Sequence, residues 1–154
     1  MMTTLRKSIL LTAVTSSILF AGSALADPSV HRATGGGTFL DGGVLNQIAF
    51  TAQIDAAGAV KGEAEFHLRN NGVFFHIVVD CLSVDGNRAW IGGVISESSD
   101  PTLVGQQRVW EVVDNGEPAP PDQVSVPIPG SPGACNNRPT LPLLDLTNGN
   151  VQVQ

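Results

Sequence analysis

The sequence contains no tyrosine, only 2 cysteines, and 8 lysine and arginine residues against 14 aspartate and glutamate residues. Nucleic-acid binding needs clustered basic side chains that displace phosphate counterions, so this charge balance excludes a nucleic-acid partner. Two cysteines exclude a zinc site built from several cysteine ligands. The chain also has no nucleophile elbow, no P-loop and no HExxH motif. We therefore expect a non-catalytic protein without a cofactor.

Long apolar runs are confined to the start of the chain. Arg6 and Lys7 precede an apolar stretch over residues 8–20, and Ala24-Leu25-Ala26 has the small-x-small pattern of a cleavage site. The stretch is too short to span a membrane, and no later run is long enough for a membrane helix. The sequence predicts a cleaved signal peptide over 1–26 and a secreted domain over 27–154. Its location is extracellular, or periplasmic if the source is a Gram-negative bacterium.

Secretion places the two cysteines in an oxidising compartment. Cys81 and Cys135 are the only possible pair, so we expect a disulfide between them. Closing a loop of this size stabilises the fold by about 4 kcal/mol in the chain-entropy view. Two reduced, buried thiols are the alternative.

The secreted part has the pattern of β-strands rather than helices. Apolar and polar residues alternate over 44–54 and 60–69, which is typical of strands with one buried and one exposed face. Further strands are expected at 38–40, 106–113, 123–126 and 149–154. Glycine (17 residues) and proline (10 residues) are frequent, and eight of the prolines lie within 117–142. We expect an all-β antiparallel meander of seven to eight strands, barrel-like or a sandwich, with an irregular proline-rich segment over 117–142.

Three turns predict the pairing of neighbouring strands. A three-residue loop ending at Gly58 pairs Ile54 with Val60. A two-residue Asn71-Gly72 loop pairs Leu68 with Phe75 and His67 with His76. An Asp85-Gly86 loop pairs Cys81 with Trp90. Each register places apolar residues opposite apolar residues.

The two histidines on this hairpin are candidate metal ligands. In the expected register His67 and His76 face each other on the exposed side, and Glu65 is the nearest third ligand, diagonal to them. Zinc needs three or four converging ligands, whereas side chains on a sheet face stand roughly perpendicular to it. We therefore interpret the pair as solvated cross-strand histidines that bind zinc weakly, with metal binding as the alternative.

Two other features are candidate binding sites. The acidic, glycine-containing loop from Asp114 to Asp122 has oxygen ligands suited to calcium, but also the composition of a plain turn. The exposed side of the expected hairpins carries more apolar residues than a solvated face needs, namely Phe74, Val78, Leu82, Ile91 and Ile95. Either the proline-rich segment covers them, which we favour because Cys135 tethers it nearby, or they form a binding surface.

Several motifs support a family resemblance. The sequence reads GGGTF at 35–39, DCLxVxGNxA at 80–89 and WxVxDNGE at 110–117. This pattern resembles an uncharacterised family of secreted β-rich bacterial domains, some of which are similar to modules appended to larger surface proteins. The resemblance implies secretion and an all-β fold, and it implies no catalytic residues.

The sequence therefore predicts a secreted, non-catalytic β module with a binding or structural role, whose protein, glycan or small-molecule partner it does not identify. The alternatives are a secreted metal-binding protein and a carrier of small apolar ligands. The carrier would require a hollow barrel with a large apolar pocket.

Overall fold

The computed structural model describes residues 29–118 and 120–154, so the predicted signal peptide lies outside the described residues. The described part contains two short 3-10 helices, Pro101–Leu103 and Ala134–Asn137. Its strands, in chain order, are β1 Ser29–Asp41, β2 Val44–Asp55, β3 Val60–Leu68, β4 Val73–Asp85, β5 Arg88–Ser98, β6 Gln107–Val113, β7 Gln123–Ser125, β8 Ile128–Pro129 and β9 Leu143–Val153.

The strands form a closed antiparallel barrel. Strands β1 to β6 pair with their neighbours in chain order, β7 pairs with β6, and β9 pairs with both β7 and β1. This ring of eight strands is a barrel, which decides between the two expected architectures. The two-residue strand β8 lies beside β6, beyond the end of β7. The predicted all-β meander is confirmed.

Side chains fill the barrel interior. Phe66 is completely buried there, with its ring 5.5 Å from that of Phe75 and 5.4 Å, edge to face, from that of Trp110. Phe39, Ile48, Ile77 and Val151 are also almost completely buried. An eight-stranded barrel is just wide enough for its own side chains, and this one uses the space for packing. The carrier alternative therefore has no support from the interior that the described residues build.

The first predicted hairpin is confirmed. Ile54 pairs with Val60, and Phe50 pairs with Ala64. The turn is closed locally, because Asp55 Oδ1 accepts hydrogen bonds from the amides of Ala57 (3.0 Å) and Ala59 (2.8 Å). Gly58 takes a φ of +83°, a left-handed conformation that glycine adopts without strain.

The predicted β3–β4 register is wrong by two residues. Leu68 pairs with Val73 rather than Phe75, because the loop has four residues, 69–72, instead of two. The buried side chain of Asn46, on β2, holds this longer loop by accepting a hydrogen bond from the Arg69 amide at 2.8 Å. A shift of two residues keeps each side chain on its expected face but changes its partner.

The predicted β4–β5 register is also wrong. The loop is Gly86-Asn87, so Cys81 pairs with Gly92 rather than Trp90. The pairing also shifts between Val79 and Cys81, which identifies a β-bulge at Asp80. Such an extra residue reverses which face the following side chains occupy.

The bulge explains why three of the residues that were predicted to form an apolar surface are buried instead. Leu82, Ile91 and Ile95 point into the barrel core and are at most 4% exposed. The expectation that they share an outer face with Phe74 and Val78 is therefore wrong. Cys81 lies instead in a second apolar cluster, with Trp90, Val109 and Cys135.

Residues 127–142, here called the strap, cover this second cluster on the outside of β4, β5 and β6. The predicted Cys81–Cys135 disulfide is present and joins the strap to β4. Trp90 Nε1 donates to the carbonyl oxygen of Pro139 at 2.9 Å. Arg138 stacks 5.6 Å from the Trp90 ring centroid and binds Asp85 Oδ2 at 2.7 Å. The proline-rich segment thus covers an outer face, but with different residues beneath it than expected.

Glycines allow β1 to lie close to β9. A Cβ atom at Gly37 would lie 2.1 Å from the carbonyl oxygen of Asn148, and one at Gly35 would lie 2.4 Å from that of Asn150. Both distances are far inside van der Waals contact with backbone atoms, which cannot rotate away. Gly35 and Gly37 of the GGG sequence therefore allow barrel closure.

We expect Gly37→Ala to destabilise the barrel by about 1–3 kcal/mol, the usual cost of overpacking. Gly130→Ala is the control, because its Cβ would meet only side-chain atoms, the nearest at 3.3 Å. Urea unfolding of both variants measures the difference. Equal losses in the two variants would contradict a special role for Gly37.

We expect the unfolded, unreduced protein to contain no reactive thiol. Replacing both partners, Cys81→Ser with Cys135→Ser, should lower the free energy of unfolding by about 2–5 kcal/mol, because the unfolded chain regains the entropy of an open loop. Thiol titration and urea unfolding measure these outcomes. A reductant should destabilise the wild type and leave the double variant unchanged. Two titratable thiols in the wild type would refute the pairing.

Candidate binding face

The observed β3–β4 register gathers a polar and aromatic cluster on the outside of the barrel. Glu63 pairs with Val78, Glu65 pairs with His76, and His67 pairs with Phe74. All six side chains point away from the core, because the residues between them, such as Phe66 and Ile77, point inward. We call these six residues the open face.

Glu65 lies between the two imidazoles. His67 Nε2 is hydrogen-bonded to Glu65 Oε1, and His76 Nε2 lies 3.5 Å from Glu65 Oε2. The three side chains are each 42–43% exposed. The expectation that His67 faces His76, with Glu65 diagonal to both, is wrong, because the two-residue shift places Glu65 directly opposite His76.

Phe74 completes the cluster. Its ring stacks on His67, with a centroid distance of 5.7 Å and an interplanar angle of 24°, and it meets His76 edge-on at 6.2 Å. Phe74 is nevertheless 39% exposed, and Val78 is 53% exposed. Two of the predicted apolar surface residues therefore do lie at the surface, beside the histidines.

Two shallow depressions adjoin the open face. One, of about 400 Å³, has Ala49 and Thr51 of β2 in its lining together with Glu63, Glu65 and His76. The other, of about 280 Å³, lies between β3 and β5 and is lined in part by Glu63, His76, Val78 and Glu97. Small side chains on β2 create the first depression. The two depressions share Glu63 and His76 in their linings, and together they form a shallow trough across the outside of the sheet.

The cluster does not have the arrangement of a metal centre. Among the described residues, no group of three or more histidine, cysteine, aspartate or glutamate side chains is placed to hold a metal ion. Glu65 contacts the imidazoles directly, whereas zinc ligands surround the ion at about 2.0–2.2 Å without contacting one another. The geometry fits a hydrogen-bonded histidine–carboxylate cluster.

The acidic loop, the candidate calcium site, is occupied by hydrogen bonds to the backbone. Asp122 is 7% exposed and accepts from the amides of Asn115 (2.8 Å) and Val151 (2.6 Å). Asp114 accepts from the amides of Gly116 (2.9 Å) and Val153 (3.0 Å). These hydrogen bonds join the β6–β7 loop to β9, so the two carboxylates stabilise the closed barrel.

A charge pair beside Trp90 has no signal in the sequence. Glu111 is 1% exposed, and its Oε1 lies 2.8 Å from Arg88 Nη2, in an electrostatic contact without good hydrogen-bond alignment. The Arg88 guanidinium lies 5.8 Å from the Trp90 ring centroid. Periodicity gives no signal for such a pair, because Glu111 occupies an ordinary outward position on β6.

Two charged groups outside the open face, Asp100 and Arg108, have pKa values that their surroundings lower. Hydrogen bonds from the side chain and then the backbone of Thr102 lower the pKa of the Asp100 carboxyl, which begins the first 3-10 helix. Burial lowers the pKa of Arg108, whose guanidinium donates to Gln107 O at 2.9 Å and to Gln106 Oε1 at 3.0 Å. Both groups serve local structure.

In the part of the chain that is described, no helix has the length and apolar character to cross a membrane. Comparison with protein-family models, curated proteins and solved structures finds no match for this chain. The resemblance to secreted bacterial β-rich domains therefore stays a prediction from sequence motifs.

We expect zinc to bind the folded protein with a dissociation constant of about 1 µM or weaker, because Glu65 is already hydrogen-bonded to His67 and no group of three ligands among the described residues is placed to hold a metal ion. Calorimetric titration measures this affinity. His31→Ala is the control for His67→Ala, since His31 is an exposed histidine on β1. A one-to-one site of nanomolar affinity that His67→Ala abolishes and His31→Ala retains would establish a metal centre instead.

Proposed function

We propose that this chain is a secreted, non-catalytic β-barrel module that binds a partner through the open face, at the cell surface or outside the cell. Secretion rests on the signal sequence over 1–26 and agrees with a disulfide, which persists in oxidising compartments. The binding role rests on the contrast between the two outer faces of the barrel.

The two faces differ in how far their apolar side chains are exposed to solvent. The strap covers the outer face of β4–β6, so Trp90 there is 6% exposed. On the open face, by contrast, the β4 residues Phe74 and Val78 remain 39% and 53% exposed. Exposed apolar side chains rimmed by polar groups mark interaction sites in many proteins.

The open face also has the composition of a binding surface. Its aromatic ring is held in place by stacking on His67, so little side-chain entropy is lost when a partner covers it. Half-exposed imidazoles and carboxylates beside the ring offer both donors and acceptors for hydrogen bonds. The adjoining trough provides the concave surface that ligands prefer.

The proposal predicts that Phe74→Ser weakens partner binding at least tenfold, since truncating an anchoring aromatic residue costs about 2 kcal/mol or more in typical interfaces. Binding of the secreted chain to arrays of immobilised peptides and glycans measures this. Ile128→Ser is the matched control, because Ile128 is 38% exposed on β8, a part of the strap that pairs with β6 rather than with β3 or β4.

Thermal unfolding checks that both variants remain folded. Undiminished binding by Phe74→Ser, equal loss in Ile128→Ser, or no binding to either array would each contradict the proposal.

A further inference from the structure

The trough on the open side of the barrel is lined by carboxylates from two strands. Glu63 and Glu65 lie two positions apart on β3, and Glu97 of β5 pairs with His76, which in turn pairs with Glu65. Because neighbouring strands are about 4.8 Å apart, the backbones at Glu65 and Glu97 are separated by about 10 Å across β4. His76 and Val78 form the floor between them.

These carboxylates have few internal partners. The residues that line the two depressions include Glu63, Glu65 and Glu97, and they include no lysine or arginine. Among the ion pairs of the described residues, Glu65 contacts the two histidines, and neither Glu63 nor Glu97 takes part in any. The trough therefore presents negative charge beside the exposed apolar side chains of Phe74 and Val78.

Glu63 and Glu97 border the smaller depression, with Val78 between them. This arrangement complements a lysine or arginine side chain, which has an aliphatic stem and a cationic end. The stem would cover Val78, and the cation would lie between two carboxylates. A phosphate-rich surface, whether nucleic acid or anionic lipid, would be repelled by the same charges.

We infer that the open face docks an extended basic segment of another protein, with one lysine or arginine side chain in the depression between Glu63 and Glu97. This inference rests on the proposed function and adds the chemistry of the partner. Phe74 supplies the apolar contact at one end of the segment, and the carboxylates select its charge. Individual exposed ion pairs contribute little, so the affinity depends on both contacts together.

The test uses the secreted chain and two fluorescein-labelled peptides, one alternating lysine with valine and the other alternating glutamate with valine. In an extended peptide, alternation places every charged side chain on one face. Fluorescence anisotropy at 20 mM and 300 mM NaCl measures binding. We expect the lysine peptide to bind, the glutamate peptide not to bind, and the added salt to weaken the lysine complex.

Two double variants with equal charge change locate the interaction. Glu63→Gln with Glu97→Gln should weaken binding of the lysine peptide at least fivefold. Glu117→Gln with Asp145→Asn is the control, because both of these residues are exposed in the β6–β9 part of the chain, and it should change binding less than twofold.

Equal weakening in the two double variants would show that only the net charge attracts the peptide, and it would overturn the inference. Unchanged binding in both variants, or binding of the glutamate peptide, would overturn it as well. Retention of a Phe74-dependent array ligand in the Glu63/Glu97 variant would leave the proposed function intact while refuting a basic partner. Loss of Phe74 dependence would refute the proposed function.

Discussion

Closure of the barrel depends on β9 fitting between β1 and β7, and this fit requires both close backbone approach and fixed hydrogen-bond acceptors. Glycines at 35 and 37 let the β1 backbone approach β9 closely enough for pairing. Asp114 and Asp122 then bind the amides of Val153 and Val151 on the other side of β9. Both features stabilise the pairing of β9, which completes the enclosure of the interior that contains Phe66 and Trp110.

The bulge at Asp80 divides the outer surface of β4 into an exposed part and a part that the strap covers. Before the bulge, the outward residues of β4 are Phe74, His76 and Val78, which stay exposed. After it, Cys81 points outward and Leu82 inward, so the strap can be joined to the sheet at Cys81. One inserted residue thus allows the same strand to serve a covered face at one end and an open face at the other.

The sequence predicted what local chemistry determines. The β2–β3 hairpin follows from Asp55 and Gly58, which lie within the turn itself, and the disulfide follows from there being one cysteine pair. The β3–β4 register depends on Asn46, a distant residue whose side chain holds the Arg69 amide. The β4–β5 register depends on the Gly86-Asn87 loop and on the bulge at Asp80, and apolar alternation predicts neither. The site residues His67, His76 and Glu65 were therefore identified correctly as neighbours, whereas their arrangement, set by the register, was not.

The pairing of β1 with β9 joins segments from opposite ends of the described chain. Arg32 and Gln154 exchange backbone hydrogen bonds, each of 2.8 Å. A chain that emerges from its amino end can form the β1–β6 hairpins early, but it cannot seal the ring until its last strand arrives. High contact order of this kind slows folding. During that interval β1 exposes an unpaired edge, and its three successive glycines, which are poor strand formers, make that edge a weak template for aggregation.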